Sequence, residues 1–91
     1  MRYSRSAAFA RLYRKLPPDR RSRVDEAILA FDAALARGTL SQGLGLKELR
    51  PRLWEIRAGL LDRVLFARAG DEIEFLLVGT HDEIKRFLAR L

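Results

Sequence analysis

The first half of the chain has the hydrophobic spacing of two amphipathic helices. Apolar residues recur every three or four positions in a first stripe, which comprises Phe9, Leu12, Tyr13 and Leu16. The same spacing recurs in a second stripe, which comprises Val24, Ala27, Ile28, Phe31 and Leu35. Ser6 is a suitable N-cap for the first helix, and Gly38 is a suitable stop for the second. Because Pro17 and Pro18 stand between the stripes, we expect an antiparallel helical hairpin.

The second half changes to the two-residue period of β-strands. Residues 38–46 contain three glycines, which is typical of a loop. After this segment, two runs at residues 53–57 and 63–67 have side chains that point alternately to two faces, and a third strand is predicted at residues 73–78. Gly59 and the pair Gly70-Asp71 predict the turns between these runs. The third run is apolar on both faces except for Glu74, so we expect a central or well-covered strand there.

A short helix is predicted at the C-terminal end of the chain. Thr80 and Glu83 have the spacing of a capping box, in which each side chain bonds the other residue's backbone amide. The apolar stripe of this helix comprises Ile84, Phe87, Leu88 and Leu91. A short strand over residues 1–4 is also compatible with the pattern. We therefore expect a single α+β domain spanning residues 1–91, in which the helical hairpin packs on one face of a small, curled antiparallel sheet.

The composition excludes several kinds of site. The chain has no cysteine and one histidine, which rules out disulfides, cysteine-based zinc sites and multi-histidine metal sites. We therefore expect no metal and no cofactor. No apolar run approaches the ~20 residues that a membrane helix needs, and no apolar segment follows the basic N-terminal residues as it would in a secretory signal. The expected compartment is the cytoplasm, with no membrane partner.

Positive charge is concentrated in two segments of the chain. The formal net charge is +6, and 15 of the 18 basic residues are arginine. Residues 1–23 have a net charge of +7 and residues 47–68 have a net charge of +3. Residues 24–46 and residues 69–91 each have a net charge of −2. Such asymmetry favours a polyanion or an acidic protein as the partner. The alternative is an arginine-rich surface that serves only solubility.

The candidate catalytic residues are Arg57, Arg63 and His81. Arg57 ends the first predicted strand and Arg63 begins the second, across a tight hairpin. In an antiparallel meander the third strand runs parallel to the first, so its end, just before His81, lies at the same edge. We therefore expect the three side chains to converge at one edge of the sheet. Further basic residues precede the strands and would widen this patch, namely Lys47, Arg50 and Arg52.

Two guanidinium groups and an imidazole suit the cleavage of RNA by its own 2′-hydroxyl. Arg57 and Arg63 would hold the scissile phosphate and stabilise the additional charge of the phosphorane. Histidine transfers protons near neutral pH. His81 is expected at the first position of a helix, where the helix dipole favours the neutral ring that acts as a base. DNA lacks the 2′-hydroxyl, so the substrate would be RNA.

Each of these residues also has a structural interpretation. A single surface histidine such as His81 often has no chemical role. Arg57 and Arg63 would then form ion pairs across the hairpin with Glu55 or Asp62. Glu55 shares a strand face with Arg57, which makes it a second candidate base. The basic residues of the two helices would form a solvated face, and the aromatic residues favoured as packing are Trp54 and Phe87.

Three strand sequences in the second half are distinctive: LWEIR at residues 53–57, DRVLF at 62–66 and FLLVG at 75–79. These sequences resemble the strands of the RelE/ParE toxin superfamily, and the order of helices and strands is similar over nearly the whole chain. The resemblance implies a small cytoplasmic toxin encoded beside an antitoxin that neutralises it. The RelE branch of the family cuts messenger RNA in the ribosomal A site, whereas the ParE branch inhibits DNA gyrase.

The resemblance also implies roles for individual residues. Nucleases of the RelE branch have basic residues at the positions matching Arg57, Arg63 and His81. The segment Gly79-Thr80-His81 resembles the GTH segment of the YafQ branch, whose histidine is catalytic. Two positions depart from the family pattern, since Phe87 stands where some members have a catalytic tyrosine and Glu55 where relatives have lysine. Phenylalanine cannot transfer a proton, so that role would fall to His81.

We therefore expect the toxin of a type II toxin–antitoxin pair, acting as a ribosome-dependent and metal-independent mRNA endonuclease. Its partners would be a cognate antitoxin, mRNA and the ribosome, and the RNA-binding residues would be Lys47, Arg50 and Arg52. One alternative is a ParE-like inhibitor of DNA gyrase without enzymatic activity. The other is a catalytically silent module of the same fold that binds RNA or a partner protein, which Phe87 favours.

Overall fold

A computed structural model describes residues 1–40 and 43–91 of the chain. In chain order its elements are β1 (Arg2–Arg5), α1 (Ala7–Lys15), α2 (Pro18–Arg37), β2 (Lys47–Arg50), β3 (Leu53–Ala58), β4 (Asp62–Ala69), β5 (Glu72–Thr80) and α3 (His81–Ala89). This is the predicted α+β fold, with helices packed on a largely antiparallel sheet. Positions 41 and 42 of the predicted loop lie outside the described residues. Within the described ranges, no helix combines the length and the apolar composition of a membrane span.

The predicted ends of the helices are confirmed. Ser6 Oγ accepts a hydrogen bond from the Phe9 amide at 3.0 Å, which satisfies one of the unpaired amides at the start of α1. Gly38 ends α2 in the left-handed conformation, with φ of 71°, which glycine adopts without a steric penalty. The capping box of α3 is also present. Thr80 Oγ1 accepts a hydrogen bond from the Glu83 amide, and Oε1 of Glu83 accepts one from the Thr80 amide.

The sheet has the strand order β1-β5-β4-β3-β2. The predicted meander β3–β4–β5 is antiparallel throughout, and β5 is an inner strand as expected. β1 pairs with β5 in parallel, so the sheet is mixed rather than purely antiparallel. The hydrophobic pattern does not predict β2, because this four-residue strand contains a single apolar residue, Leu49. It forms by pairing with β3, with an irregular register between Glu48 and Arg50.

The helical hairpin covers one face of the sheet, as predicted. Phe9 of α1 and Val24 and Phe31 of α2 are buried against a common set of strand residues, which comprises Ile56, Ala58, Val64, Phe66, Ile73, Phe75 and Val78. The rings of Phe31 and Phe66 lie 4.8 Å apart. A second cluster includes Leu65, Leu77 and Ile84 of α3. Since Leu65 alternates with Val64 and Phe66 along β4, this cluster lies on the opposite face of the sheet.

An irregularity in β5 lets both faces remain apolar. Leu65 pairs with Leu77, but the next residue, Phe66, pairs with Phe75, so Leu76 is an additional residue in β5. Phe75 therefore faces the helical hairpin while Leu77, two positions later, contacts the cluster with α3. This register also sets Gly79 opposite Arg63, at the edge where the candidate catalytic residues lie.

Candidate functional site

The candidate site is built on one row of residues that crosses three strands. Arg57 of β3 is the direct cross-strand partner of Arg63 of β4, and Arg63 is in turn opposite Gly79 of β5. Directly opposed residues in an antiparallel pair have Cβ atoms roughly 4.5–5.5 Å apart. Two guanidinium groups of like charge thus emerge side by side, an arrangement that an anion between them stabilises. Gly79 is buried beneath the first turn of α3, since a Cβ added there would lie 2.9 Å from Oε1 of Glu83.

Arg63 is held by a carboxylate from the neighbouring strand. Its Nε lies 3.6 Å from Oε2 of Glu55, and both side chains are largely buried. Lys47 of β2 is the cross-strand partner of Glu55 and is exposed. The sequence suggested that Arg57 and Arg63 would form ion pairs with Glu55 or Asp62. The structure contains one of these pairs, between Glu55 and Arg63. Glu55 therefore lies within the candidate site, flanked by cations from both neighbouring strands.

Arg57 is exposed. It lies two residues beyond Glu55, the partner of the first residue of β2, so β3 continues there without β2 beside it. Its amide donates a hydrogen bond to the carbonyl of Leu44 at 2.9 Å, which ties the preceding loop to β3. A Cβ added at Gly45 would lie 2.9 Å from Cβ of Arg57, and Gly45 has φ of +63°, so this close approach requires glycine. Arg57 also lines a shallow, open depression against α2, together with Arg23, Glu26, Ala27 and Gly59.

His81 is the first residue of α3 and is exposed. It follows Thr80, whose amide donates to Oε1 of Glu83 at 2.8 Å and whose hydroxyl caps the helix. Thr80 is opposite Asp62 in the sheet, one position from the row that contains Arg63. His81 therefore begins its helix at the same edge of the sheet at which Arg57 and Arg63 lie.

The three predicted RNA-binding residues are all exposed, but they are spread over β2 and the turn that joins it to β3. Lys47 is opposite Glu55, one step along the same face from Arg57. Arg50 is opposite Leu53, at the start of β3, whereas Arg57 is near its end. Arg52 occupies the intervening turn with φ of 70°, an uncommon conformation for a residue with a side chain. Leu53 and Arg57 are four residues apart, about 13 Å at the rise of an extended strand.

The sequence reasoning missed an ion pair beside the site. Arg20 of α2 donates through Nε and Nη2 to the two carboxylate oxygens of Asp62, at 2.8 and 2.6 Å. This hydrogen bonding raises the pKa of Arg20 above its ordinary value. One signal was available, because Asp62 has the strand parity of the core residues Val64 and Phe66. A carboxylate on a buried face requires a cationic partner, although the sequence does not say which one.

The aromatic residues are placed as packing, in agreement with the sequence. Trp54 is half-buried and packs against the core beneath the helical hairpin. Phe87 packs in the cluster of α3 with Ile84 and Leu77. In the part of the chain that the structure describes, no group of three or more histidine, aspartate or glutamate side chains is arranged to hold a metal ion.

Comparison with known proteins identifies the fold. No protein-family model and no curated protein matches the sequence. Among solved structures, the RelB–RelE antitoxin–toxin complex from Methanococcus jannaschii matches 92% of this chain and 96% of the compared chain, with 20% identity and a TM-score of 0.69.

Two further structures agree with this comparison. YafQ from E. coli strain BL21(DE3) matches 92% of this chain and 98% of its own, with 12% identity and a TM-score of 0.65. The YoeB/ParE toxin from Agrobacterium tumefaciens matches 89% of this chain and 99% of its own, with 17% identity and a TM-score of 0.63. This chain therefore has the fold of the RelE/ParE toxin superfamily.

Proposed function

We propose that residues 1–91 form a single toxin domain of a type II toxin–antitoxin pair, and that it acts in the cytoplasm by cutting messenger RNA on the ribosome. The observation that supports this most directly is the cross-strand pair Arg57 and Arg63, at the edge of the sheet from which His81 begins α3. A fold shared with toxins supplies the context, and these side chains supply the chemistry.

In this proposal the two arginines bind the scissile phosphate. Attack by the adjacent 2′-hydroxyl adds a negative charge to the phosphorus centre, and two guanidinium groups stabilise that charge. His81 removes the proton of the 2′-hydroxyl or donates one to the leaving 5′-oxygen. His81 is exposed at the first position of α3, which leaves its ring accessible to the substrate. Solvent water takes or supplies the other proton, so that both proton transfers are accounted for.

Glu55 has a supporting role in the same proposal. Its carboxylate lies 3.6 Å from Nε of Arg63, and the attraction between the two charges favours guanidinium positions close to Glu55. Glu55 is buried and engaged with Arg63, whereas His81 is exposed. Glu55 therefore ranks behind His81 for proton transfer, and it remains the next candidate if His81 is dispensable.

The proposed protein partner is a cognate antitoxin with an acidic contact surface. RelE from Methanococcus jannaschii has been solved with the antitoxin RelB, and E. coli YafQ with DinJ. The chain here has a net charge of +6, with Arg57 and Lys47 exposed beside the site. An acidic segment that covers these cations would compete with mRNA for the same surface.

The second candidate function is inhibition of DNA gyrase without catalysis. The Agrobacterium tumefaciens neighbour is described as a YoeB/ParE toxin, so the fold is common to both branches of the family. A silent binding module is the third candidate, because Phe87 packs in the core and offers no hydroxyl group.

A reconstituted translation reaction separates these functions. The protein is added to ribosomes with a defined mRNA, and both the yield of polypeptide and the 5′ ends of the mRNA fragments are measured. We expect loss of synthesis together with fragments cut within the ribosome, and neither effect with Arg63→Ala at equal concentration. Intact mRNA combined with inhibition of gyrase supercoiling would instead establish the second function, and no effect in either reaction would leave the binding module.

A further inference from the structure

We propose that the ion pair between Arg20 and Asp62 is a positioning device, which holds the strand ends that present Arg57, Arg63 and His81. The inference rests on the proposed function for its consequences in catalysis. The structural claim is that this pair fixes the end of the β3–β4 hairpin relative to α2. It is independent of the proposed function and is carried by the hydrogen bonds between Arg20 and Asp62.

The geometry of the pair is that of a rigid link. Asp62 is 1% exposed, and Arg20 contacts both of its oxygens, through Nε at 2.8 Å and Nη2 at 2.6 Å. A two-point contact between a planar guanidinium and a carboxylate fixes orientation as well as distance. The Arg20 side chain is itself 26% exposed, so the pair lies at the rim of the core and closes it.

The register places Asp62 among the site residues. It is opposite Ala58 on one side and Thr80 on the other. The adjacent row contains Arg57, Arg63 and Gly79, and His81 directly follows Thr80. One buried carboxylate therefore lies next to all three strand ends from which the candidate catalytic residues emerge.

Arg20 supplies a firm anchor for this carboxylate. It is in the first turn of α2, a 20-residue helix that is buried against the sheet through Val24 and Phe31. The hairpin tip itself is open to solvent, since Leu60 is 94% exposed and Leu61 is 58% exposed. Two contacts tie it to α2: the side chain of Arg23 packs against Gly59, where a Cβ would lie 2.5 Å from Arg23 Cδ, and the ion pair adds the directional link.

A structural role and a positioning role are separated by replacing the pair with apolar residues. A buried ion pair exchanged for well-packed apolar side chains usually keeps or gains stability. The double variant Arg20→Met/Asp62→Leu removes the directional link and retains the packing. Asp62→Asn and Arg20→Lys are milder variants that keep the site polar. The control is Arg2→Met on the far strand β1, which removes an exposed ion pair between Arg2 and Glu72 of β5.

Three experiments are made on each variant. They measure the melting temperature, the amide hydrogen exchange of residues 56–64 and 79–82, and the kinetics of RNA cleavage as kcat and KM. For the double variant we expect a melting temperature near that of the wild type, but exchange of these amides faster by about tenfold. We expect kcat to fall by about 10²-fold, the effect of a small displacement of catalytic groups, with KM little changed. Arg20→Lys should be intermediate, and Arg2→Met should match the wild type.

The proposal is overturned if the double variant has wild-type exchange and wild-type kcat, since the pair would then contribute stability alone. If the double variant does not fold, Arg20→Lys decides between the two roles by the same exchange measurement. If the wild-type chain cleaves no RNA, the proposed function fails, whereas the exchange data still test whether the pair fixes the hairpin end.

Discussion

Glu55 of β3 and Arg63 of β4 are diagonal neighbours on one face of the sheet, with Oε2 of the carboxylate 3.6 Å from Nε of the guanidinium. Both side chains are mostly removed from solvent, so their attraction is screened less than that of a surface pair. A phosphate that binds Arg63 must share this cation with Glu55. The pair therefore orients Arg63 before substrate arrives and tunes how strongly it holds the phosphate.

Glu55→Gln tests whether this carboxylate orients Arg63 or transfers a proton. Glutamine keeps a polar group of the same shape beside Arg63, so we expect cleavage to fall by less than about tenfold, with an unchanged pH–rate profile. Loss of a general base typically costs about 10²–10⁴ in rate. A loss of that size, together with disappearance of the acidic limb of the profile, would assign the base to Glu55 instead of His81.

Growth arrest should depend on both arginines of the central row. Loss of one charge-stabilising contact costs ~2.7–4 kcal/mol, which is about 10²–10³ in rate. We expect Arg57→Ala and Arg63→Ala to relieve the arrest that follows expression of the protein alone. Arg37→Ala, at the exposed C-terminal end of α2, is the control. Arrest that persists with both variants at equal expression would contradict the catalytic assignment.

His81 is the residue to which we assign proton transfer. Because it is exposed at the start of α3, His81→Gln should leave the fold intact and slow cleavage by about 10²–10⁴. Lys85→Gln, on an exposed position of the same helix, should have no such effect. Full cleavage activity in His81→Gln would remove the residue from the mechanism.

The affinity for RNA should fall steeply with salt. Each phosphate neutralised in a single strand contributes about −0.7 to the slope of log K against log salt concentration. Substituting glutamine at Lys47, Arg50 or Arg52 should reduce the slope by about this amount per contact. Since Lys47 and Arg50 lie at opposite ends of β2, an RNA that covers both must run along the strand. A slope that no variant changes would show that these residues do not contact phosphate.

Stability at alkaline pH should depend on Tyr3. Its hydroxyl donates to Oδ1 of Asp32 at 2.6 Å, and burial together with this bond raises the pKa of Tyr3 from 10.0 to about 12. The folded state therefore holds this proton more tightly, so the stabilisation is complete below pH 10 and is lost as the pH rises towards 12. We expect Tyr3→Phe to lose less unfolding free energy than the wild type over this interval in urea titrations. An identical pH dependence in both proteins would contradict the assigned shift.

The local features of this fold were accessible from the sequence because they depend on neighbouring residues. The helical stripes, the Ser6 cap and the capping box at Thr80 all follow from spacings of three or four residues. The strand β2 was not accessible, since its pattern contains one apolar residue and it exists through pairing with β3. The additional residue Leu76 was not accessible either, because two apolar faces conceal a change of register.

The candidate site divides in the same way. That Arg57 and Arg63 are opposed follows from hairpin geometry, which needs only the position of the turn at Gly59. The partner of Asp62 lies 42 residues away in sequence, and no local pattern links it to Arg20. Long-range pairing of this kind depends on how α2 is seated on the sheet, which the periodicity does not specify.

The central claim, cleavage through the 2′-hydroxyl of mRNA, is tested most directly with a substrate that lacks this group at a single position. The cut site is first mapped on ribosomes programmed with an all-ribose message, and the message is then remade with a 2′-deoxynucleotide immediately before the scissile phosphate. We expect the all-ribose message to be cut to a fragment ending in a 2′,3′-cyclic phosphate, and the substituted message to remain intact at that position. Equal cutting of both messages, or fragments that end in a free 3′-hydroxyl, would contradict the account.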